Sequence, residues 1–214
     1  MIDIAVVDYG MGNLRSVSKA LEHVATDKKV VVTSNPQDIA EAERVVFPGQ
    51  GAMPDCVREL DSRGLREAVI AAAASKPFLG ICIGLQLLFD HSEEGNADGL
   101  GIFAGQVKRF SAVDMHDVQG HKLKVPHMGW NEVYQSQSHP LWAGIENGER
   151  FYYVHSYYVA PQETALVAGY SEYPKRFTSV VAKDNIFAVQ FHPEKSQHAG
   201  LKLLSNFVQW NGHS

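Results

Sequence analysis

The chain has 214 residues, of which 45% are hydrophobic and 20% are charged, and its formal net charge is −5. This composition is typical of a soluble globular enzyme; it argues against a dedicated nucleic-acid-binding protein, and no run of about 18 apolar residues predicts a membrane span. Two cysteines are too few for a disulfide framework, and no basic segment followed by an apolar stretch opens the chain, so we expect a cytoplasmic protein.

The first half of the chain alternates short apolar runs with segments of helical periodicity. Strands are predicted at residues 4–7, 30–32 and 45–47 and immediately before Cys82. Helices are predicted after the candidate cap Asn13, from Asn35-Pro36 with the proline in the first turn, and over residues 54–74, where Cys56 is interpreted as a structural residue. Such alternation indicates a parallel sheet covered by helices on both faces.

The second half is richer in short strands. They are predicted at residues 107–110, 151–154, 157–159, 165–168, 179–182 and 187–191. The turn residues Asp184-Asn185 indicate a hairpin between the last two, residues 111–124 predict an exposed polar loop, and an amphipathic helix closes the chain.

The expected fold class follows from these two halves. It is an α/β fold with three layers: a doubly wound, mostly parallel central sheet with helices on both faces, and a smaller antiparallel sheet from the second half. No linker long enough to separate two domains is present, so a single domain over residues 1–214 is expected.

The segment Gly80-Ile81-Cys82-Ile83-Gly84 has the G-x-C-x-G pattern of a nucleophile elbow, in which a strand turns sharply into a helix. The flanking glycines let the backbone bend without a Cβ clash, and an amphipathic helix is expected to continue through Phe89. Cys82 would lie at the positive end of that helix, which favours thiolate over thiol. The alternative is a buried cysteine in an ordinary strand-turn-helix.

His192 and Glu194 follow the last predicted strand and are the candidates for a base and its orienting group. A cysteine nucleophile needs both. Residues two apart on an extended segment point to the same side, so Glu194 would accept from one ring nitrogen of His192 while the other nitrogen faces Cys82. The alternative is a strand end that happens to carry polar residues.

A third element, Pro48-Gly49-Gln50-Gly51, ends the strand predicted at residues 45–47. Acyl transfer to a cysteine builds an oxyanion, which needs backbone N–H donors aimed at it. The amide of Ile83 would be one donor, and the amide of Gln50 or Gly51 the other. A plain turn is the alternative.

Together the G-x-C-x-G-x-Q, P-G-x-G and terminal H-P-E patterns resemble those of the class I, triad-type glutamine amidotransferases, over the whole chain. Within that family, residues 8–14, 126–131, 155–158 and 192–196 resemble the glutaminase subunits of imidazole glycerol phosphate synthase, an enzyme of histidine biosynthesis. The resemblance implies that Cys82, His192 and Glu194 hydrolyse L-glutamine to glutamate and ammonia. It implies no cofactor and no metal.

The resemblance also implies a glutamine pocket. The residues expected to form it are Gly49, Gln50, Gly51, Ile83, Gln86, Ser156 and Tyr157. A solvent-facing helix position is the alternative for Gln86, and strand packing is the alternative for Ser156 and Tyr157. Gln50 departs from the family pattern, which often has a small apolar residue there, and this raises the question of how its peptide is oriented.

A partner is implied as well. Ammonia would pass to a separate cyclase subunit with a β/α-barrel fold, in a heterodimer that makes imidazole glycerol phosphate and an aminoimidazole carboxamide ribonucleotide. Asn13, Trp130 and Lys195 are the candidates for the partner-facing rim. The alternatives are a helix cap for Asn13 and a core position for Trp130.

Three rival interpretations stay open at this point. The chain could serve another synthase, in the anthranilate, aminobenzoate or pyridoxal phosphate pathway. It could be a peptidase or chaperone of the elbow-cysteine superfamily, although those proteins usually take histidine from beside the elbow, where Ile83 stands here. It could also be a binding protein with a decayed site, which the intact Cys82, His192 and Glu194 argue against.

Overall fold

The computed structural model describes residues 2–111, 115–116 and 119–213. Its α-helices are α1 (Leu14–Val24), α2 (Pro36–Glu41), α3 (Met53–Ser62), α4 (Arg66–Ala73), α5 (Ile83–Gln86) and α6 (Gln197–Gln209). Its strands are β1 (Ile4–Val7), β2 (Val30–Thr33), β3 (Arg44–Gly49), β4 (Phe78–Cys82), β5 (Phe89–Ser92), β6 (Ala97–Asp98), β7 (Phe103–Arg109), β8 (His127–Gln135), β9 (Glu149–His155), β10 (Tyr157–Pro161), β11 (Val167–Glu172), β12 (Arg176–Lys183) and β13 (Ile186–Val189). None of the described helices is long and apolar enough to cross a membrane.

A parallel block forms one side of the sheet, in the order β2-β1-β3-β4-β13. Strands β1, β4 and β13 are buried at every position, which explains their near-continuous apolar sequences, since helices cover both faces. Helix α1 packs against α6, and α2 packs against α4. The expected α/β fold class is confirmed, and the carboxyl ends of β3 and β4 meet with Gly49 beside Cys82.

The antiparallel strands continue from this block through the hairpin predicted at Asp184-Asn185. Strand β12 pairs with β13 across that turn, and Asp184 adopts the left-handed conformation there, with φ 51°. From β12 the sheet runs through β10, β7, β5 and β6, while β11, β8 and β9 branch from β12. The second half therefore brings β9 and β10 close to the elbow that the first half builds.

The sequence predicts no strand over residues 127–135, where the structure has β8. The reason is a reversed pattern of polarity. His127 faces inward and is 4% exposed, while Met128 and Trp130 are 61% and 40% exposed. A polar inner face paired with an apolar outer face does not match the alternation that identifies a half-buried strand.

Two helix predictions need correction. The helix predicted over residues 54–74 is divided into α3 and α4. Gly64 lies between them with a φ of +65°, which is incompatible with a right-handed helix. The helix expected to run from the elbow through Phe89 is the single turn α5, because the chain extends again at β5. Leu87 and Leu88, which connect α5 to β5, are fully buried, so their apolar character reflects core packing rather than a helix face.

The loop predicted over residues 111–124 lies partly outside the described residues. Of those that are described, Met115 is buried at 1% exposure, and His116 pairs with Lys122 in an isolated antiparallel bridge. Apart from the buried Met115 and the half-buried Leu123, the described residues of this segment are exposed, so they agree with the expected exposed loop.

Candidate active site

The elbow is a sharp turn in which Cys82 ends β4 and precedes α5. Its backbone has φ 56° and ψ −109°, a conformation that a residue with a Cβ adopts only under constraint. The constraint is close packing of the two glycines. A Cβ on Gly84 would lie 1.8 Å from the carbonyl oxygen of Phe47, and one on Gly80 would lie 2.9 Å from the Cβ of Ala188. Because α5 has one turn, any helix-dipole effect on Cys82 comes from a few amide groups and not from a long helix.

His192 and Glu194 are joined as predicted, but by a different backbone from the one predicted. A 3-10 turn, Pro193–Lys195, replaces the extended segment. This turn brings Glu194 back over the ring, and Nδ1 of His192 donates to Oε1 of Glu194 over 2.9 Å. Ser196, which the sequence did not single out, secures the turn by donating to the carbonyl of His192 at 2.6 Å and accepting from the amide of Tyr152 at 3.0 Å.

The electrostatics of His192 favour the protonated ring. Burial alone would lower the pKa of His192, but the charge and hydrogen bonding of Cys82, followed by those of Glu194, raise it from 6.5 to about 10. Nε2 is buried and has no partner at ordinary hydrogen-bond length in the described part of the chain. A protonated ring is therefore favoured at His192, with the carboxylate of Glu194 hydrogen-bonded to its Nδ1.

The Gly49-Gln50-Gly51 segment lies beside Cys82 at the end of β3. A Cβ on Gly49 would lie 2.2 Å from the hydroxyl oxygen of Tyr9. The carbonyl of Gln50 accepts from the Sγ of Cys56 over 3.6 Å. Since the C=O and N–H of one trans peptide point in opposite directions, the amide of Gly51 points away from Cys56. Burial raises the pKa of Cys56 to about 11, which keeps this thiol protonated and able to donate.

A cavity of about 430 Å³ opens over Cys82, a size suited to a small ligand. Its lining comprises Gln50, Gly51, Cys82, Ile83, Gln86, Glu94, Pro126, Val154, His155, Ser156, Tyr157, His192 and Lys195. Six of the seven residues predicted for the glutamine pocket are thus brought together, and Gly49 lies behind them.

Gln86 is a buried residue, 1% exposed, so the solvent-facing alternative is wrong. Its Nε2 donates to the carbonyl of Tyr157 at 3.2 Å and to Oε1 of Gln190 at 3.1 Å. Its own Oε1 is buried and has no partner among the described residues. This oxygen is free to accept a hydrogen bond from a donor group on a ligand.

Two further polar residues at this site are not identified from the sequence. Glu94 lines the cavity, and its Oε2 accepts from the amide of Met53 over 2.8 Å. In the sequence it stands in the polar run Glu93-Glu94-Gly95-Asn96, which is typical of a surface turn. Gln190 is fully buried and its Nε2 is 3.7 Å from the Sγ of Cys82. Its position within the apolar run 187–191 is the sequence feature that could have identified it as a buried polar residue.

The three residues predicted to face a partner lie at or near the surface. The ring of Trp130 is 6.1 Å from that of Tyr152, and Nζ of Lys195 is 5.9 Å from the same ring. At 40% exposure Trp130 is not a core residue. Asn13 precedes α1 but its side chain makes no capping hydrogen bond, so the cap interpretation is wrong at the side-chain level.

Three buried histidines lead to a prediction about acid stability. Burial lowers the pKa of His127 and of His139 from 6.5 to about 4, and that of His155 to about 3. Because the folded values are below 6.5, these rings contribute stability that is complete above pH 6.5 and is lost as pH falls toward 4. We expect the free energy of unfolding, measured by urea titration, to decrease over that range.

The variant His139→Phe isolates one of these groups. Between pH 6.5 and 4.5, the unfolding free energy of this variant should change less steeply with pH than that of the wild type. The difference should be at most the slope that uptake of one proton on unfolding produces. Equal slopes for the two proteins would contradict the assignment of a neutral, buried His139.

Comparison with known proteins extends these observations. The family model for "Glutamine amidotransferase class-I" matches residues 5–210. Subunit HisH of imidazole glycerol phosphate synthase from Nitrosospira multiformis is 70% identical over 98% of this chain and 99% of its own length. The corresponding subunits from Thiobacillus denitrificans and Neisseria gonorrhoeae are 69% and 55% identical, over 98% and 96% of this chain and 92% and 99% of their own lengths.

Solved structures share the fold at low sequence identity. A putative GMP synthase subunit from Thermoplasma acidophilum superposes with a TM-score of 0.69 at 20% identity, covering 98% of this chain and 93% of its own. A structure described as a glutamine amidotransferase gives a TM-score of 0.69 at 15% identity, covering 96% and 99%.

Proposed function

This chain belongs to the class-I glutamine amidotransferase family, and from that premise we propose that it is the glutaminase subunit of an imidazole glycerol phosphate synthase. In this role it hydrolyses L-glutamine to glutamate and supplies the ammonia to a cyclase subunit in histidine biosynthesis. The observation that carries the proposal is that Cys82 and His192 line one cavity of about 430 Å³, with Glu194 hydrogen-bonded to Nδ1 of His192. We place the protein in the cytoplasm, because both buried cysteines are free thiols.

The proposed chemistry is acyl transfer through cysteine. The thiolate of Cys82 attacks the side-chain amide carbon of glutamine, and the amide of Ile83 donates to the oxyanion that forms. Nε2–H of His192 protonates the departing ammonia, leaving a γ-glutamyl thioester. His192 then activates a water molecule that hydrolyses the thioester, while Glu194 holds Nδ1–H and so keeps Nε2 facing the sulfur.

The cavity supplies groups suited to the two ends of glutamine. The buried, unpartnered Oε1 of Gln86 would accept from the substrate's ammonium, and Glu94 would add a complementary charge. Ser156, between β9 and β10, and Tyr157, the first residue of β10, line the same cavity. Gly51 is proposed as the second oxyanion donor.

The peptide between Gln50 and Gly51 is where we propose that the partner acts. Cys56 donates a hydrogen bond to the carbonyl of Gln50 in the orientation that the structure shows. Rotation of the peptide would break that bond, but its backbone cost is small because Gly51, with a φ of +101°, accepts both signs of φ. The proposed resting orientation is nearly inactive, and a ligand bound to the cyclase favours the rotated one. Glutamine hydrolysis by the isolated chain at the rate of the ligand-bound complex would contradict this.

Glutamate production from L-glutamine tests the proposal. We would assay this chain by itself, with the cyclase subunit of the Nitrosospira multiformis synthase, and with both that cyclase and its nucleotide ligand. Activity that requires the cyclase and rises with its ligand is the expected result. Activity indifferent to the cyclase would indicate a glutaminase of another synthase, and no activity on glutamine would favour a peptidase-like or binding protein.

Partner docking yields a further prediction at Trp130. Exposed aromatic side chains often dominate the binding energy of an interface, so Trp130→Ala should weaken binding to the cyclase by about 2 kcal/mol, or roughly 30-fold in Kd. Val32→Ala is the matched control, because Val32 is a similarly exposed apolar residue on β2, the edge strand of the parallel block. Equal Kd values for the two variants, measured by calorimetry, would remove Trp130 from the interface.

A further inference from the structure

The inner face of β8 carries polar side chains that the proposed chemistry does not use. His127 is buried and Asn131 is partly buried, whereas Met128 and Trp130 between them are exposed. A strand ordinarily buries its apolar side. The reversed order at residues 127–131 therefore has a cause other than core formation.

His127 is held in one orientation from several sides. Its ring stacks between those of Tyr153 and Tyr173, with centroid distances of 4.9 and 4.0 Å. On the neighbouring strand β9 its cross-strand partner is His155, and Nδ1 of His127 is 2.9 Å from Nε2 of His155. A ring clamped in this way has a fixed direction in which it can donate.

The chemistry of the acceptors determines where each proton lies. The carbonyl of Tyr157 can only accept, so Nδ1 of His155, at 2.8 Å, is the donor. Burial keeps His155 neutral, so its Nε2 accepts from Nδ1–H of His127. Nε2 of His127 in turn accepts from Nδ2 of Asn131 at 3.4 Å, and the same amide also donates to the carbonyl of Glu172 at 3.0 Å. Asn131 therefore donates to His127, His127 to His155, and His155 to the carbonyl of Tyr157. Tyr157 lines the cavity over Cys82.

The series continues to the nucleophile. The carbonyl of Tyr157 also accepts from Nε2 of Gln86, which donates to Oε1 of Gln190, whose Nε2 lies 3.7 Å from the Sγ of Cys82. With its amide nitrogen engaged twice, Gln86 has its free Oε1 left for a ligand. Hydrogen bonds linked in this way reinforce one another in a buried setting.

We propose that His127 and His155 are positioning residues: by holding the carbonyl of Tyr157 they set the amides of Gln86 and Gln190, and through them the sulfur of Cys82. The inference rests on the proposed glutaminase function for its kinetic consequence. It also gives the inward side chains of β8 a role, while the outward Met128 and Trp130 remain available to a partner.

Tautomers measured by NMR test the network without any assay of activity. Long-range ¹H–¹⁵N spectra of the whole chain at pH 7 should show His127 and His155 neutral and protonated on Nδ1. A ring of either histidine protonated on Nε2, or on both nitrogens, would overturn the proposal.

Kinetics test the consequence for catalysis. His127→Phe keeps a ring in the stack but removes the donor, and we expect kcat for glutamine hydrolysis in the ligand-bound complex to fall about tenfold. His127→Asn places an amide nitrogen near the position of Nδ1 and should recover most of that loss. His139→Phe is the matched control, since His139 is an equally buried histidine that does not line the cavity, and its kcat should stay within twofold of wild type.

Alkylation of Cys82 by iodoacetamide, followed by mass spectrometry, separates this inference from the proposed function. His127→Phe should slow alkylation about fivefold relative to His139→Phe, because the sulfur loses the orientation of its donor. Wild-type rates of both alkylation and turnover in His127→Phe would overturn the inference. If the wild type fails to hydrolyse glutamine, the proposed function fails, and the alkylation rates and NMR spectra still decide the positioning role.

Discussion

Replacement of Cys82 by alanine is expected to lower kcat for glutamine hydrolysis in the ligand-bound complex by at least about 10⁴-fold. The substitution removes only the sulfur, since alanine keeps the Cβ that the φ of 56° already accommodates. Without the sulfur no thioester can form, and the imidazolium at His192 loses the charge that chiefly raises its pKa. Glutamate release, followed by a coupled assay, measures the loss.

The second free cysteine provides the control. Cys56→Ser keeps a hydroxyl donor for the carbonyl of Gln50 and should retain a kcat of the wild-type order of magnitude. Removal of a nucleophile lowers turnover by far more than about 100-fold. If Cys82→Ala kept more than about 1% of wild-type turnover, another group would therefore have to be the nucleophile.

Gly84→Ala is expected to destabilise the protein by about 3 kcal/mol or more, through overpacking against backbone. The added Cβ would be 1.8 Å from the carbonyl oxygen of Phe47, an atom held in β3 that has little freedom to move. For a chain of this length such a loss lowers Tm by roughly 6–12 °C. Since α5 must shift away from β3, the amide of Ile83 is displaced and glutamine turnover should also collapse.

Gly64→Ala separates this clash from a generic cost of replacing glycine. Gly64 has a φ of +65°, but nothing lies within 4 Å of a Cβ there, so its replacement costs only the backbone strain, about 1 kcal/mol. We expect a small decrease in Tm, measured by calorimetry, and unchanged turnover. Similar Tm values for the two variants would show that the elbow is looser than this packing indicates.

Several parts of the molecule could be predicted because their signals are local. The parallel strands appear as continuous apolar runs because both of their faces are covered. Helix α2 begins at Pro36, as Asn35-Pro36 predicts, and Asp184-Asn185 forms the predicted hairpin. The elbow pattern was likewise predictable from local residues, and so was the pairing of His192 with Glu194, although a 3-10 turn and not the expected extended segment makes that pairing.

Other features depend on contacts between distant segments. Gln86 looks like a surface helix residue until β10 and Gln190 surround it. Glu94 lies in a polar turn until the tertiary fold brings that turn to the cavity. The polar inner face of β8 has no local explanation, because its partners Tyr153, His155 and Tyr173 come from other parts of the chain.

The alternation of strands and helices and the elbow at Cys82 are predictable from the sequence, since each depends on residues within a few positions of one another, and His192 and Glu194 are recognisable as a candidate base and its orienting group because they are two positions apart. The tertiary structure, in contrast, is needed to establish which buried polar atoms face the cavity and how short α5 is. It also decided that a 3-10 turn, and not an extended segment, brings Glu194 to His192. The hydrogen-bond partners of buried groups come from segments that are distant in the sequence and adjacent in the fold. Local periodicity therefore cannot predict them.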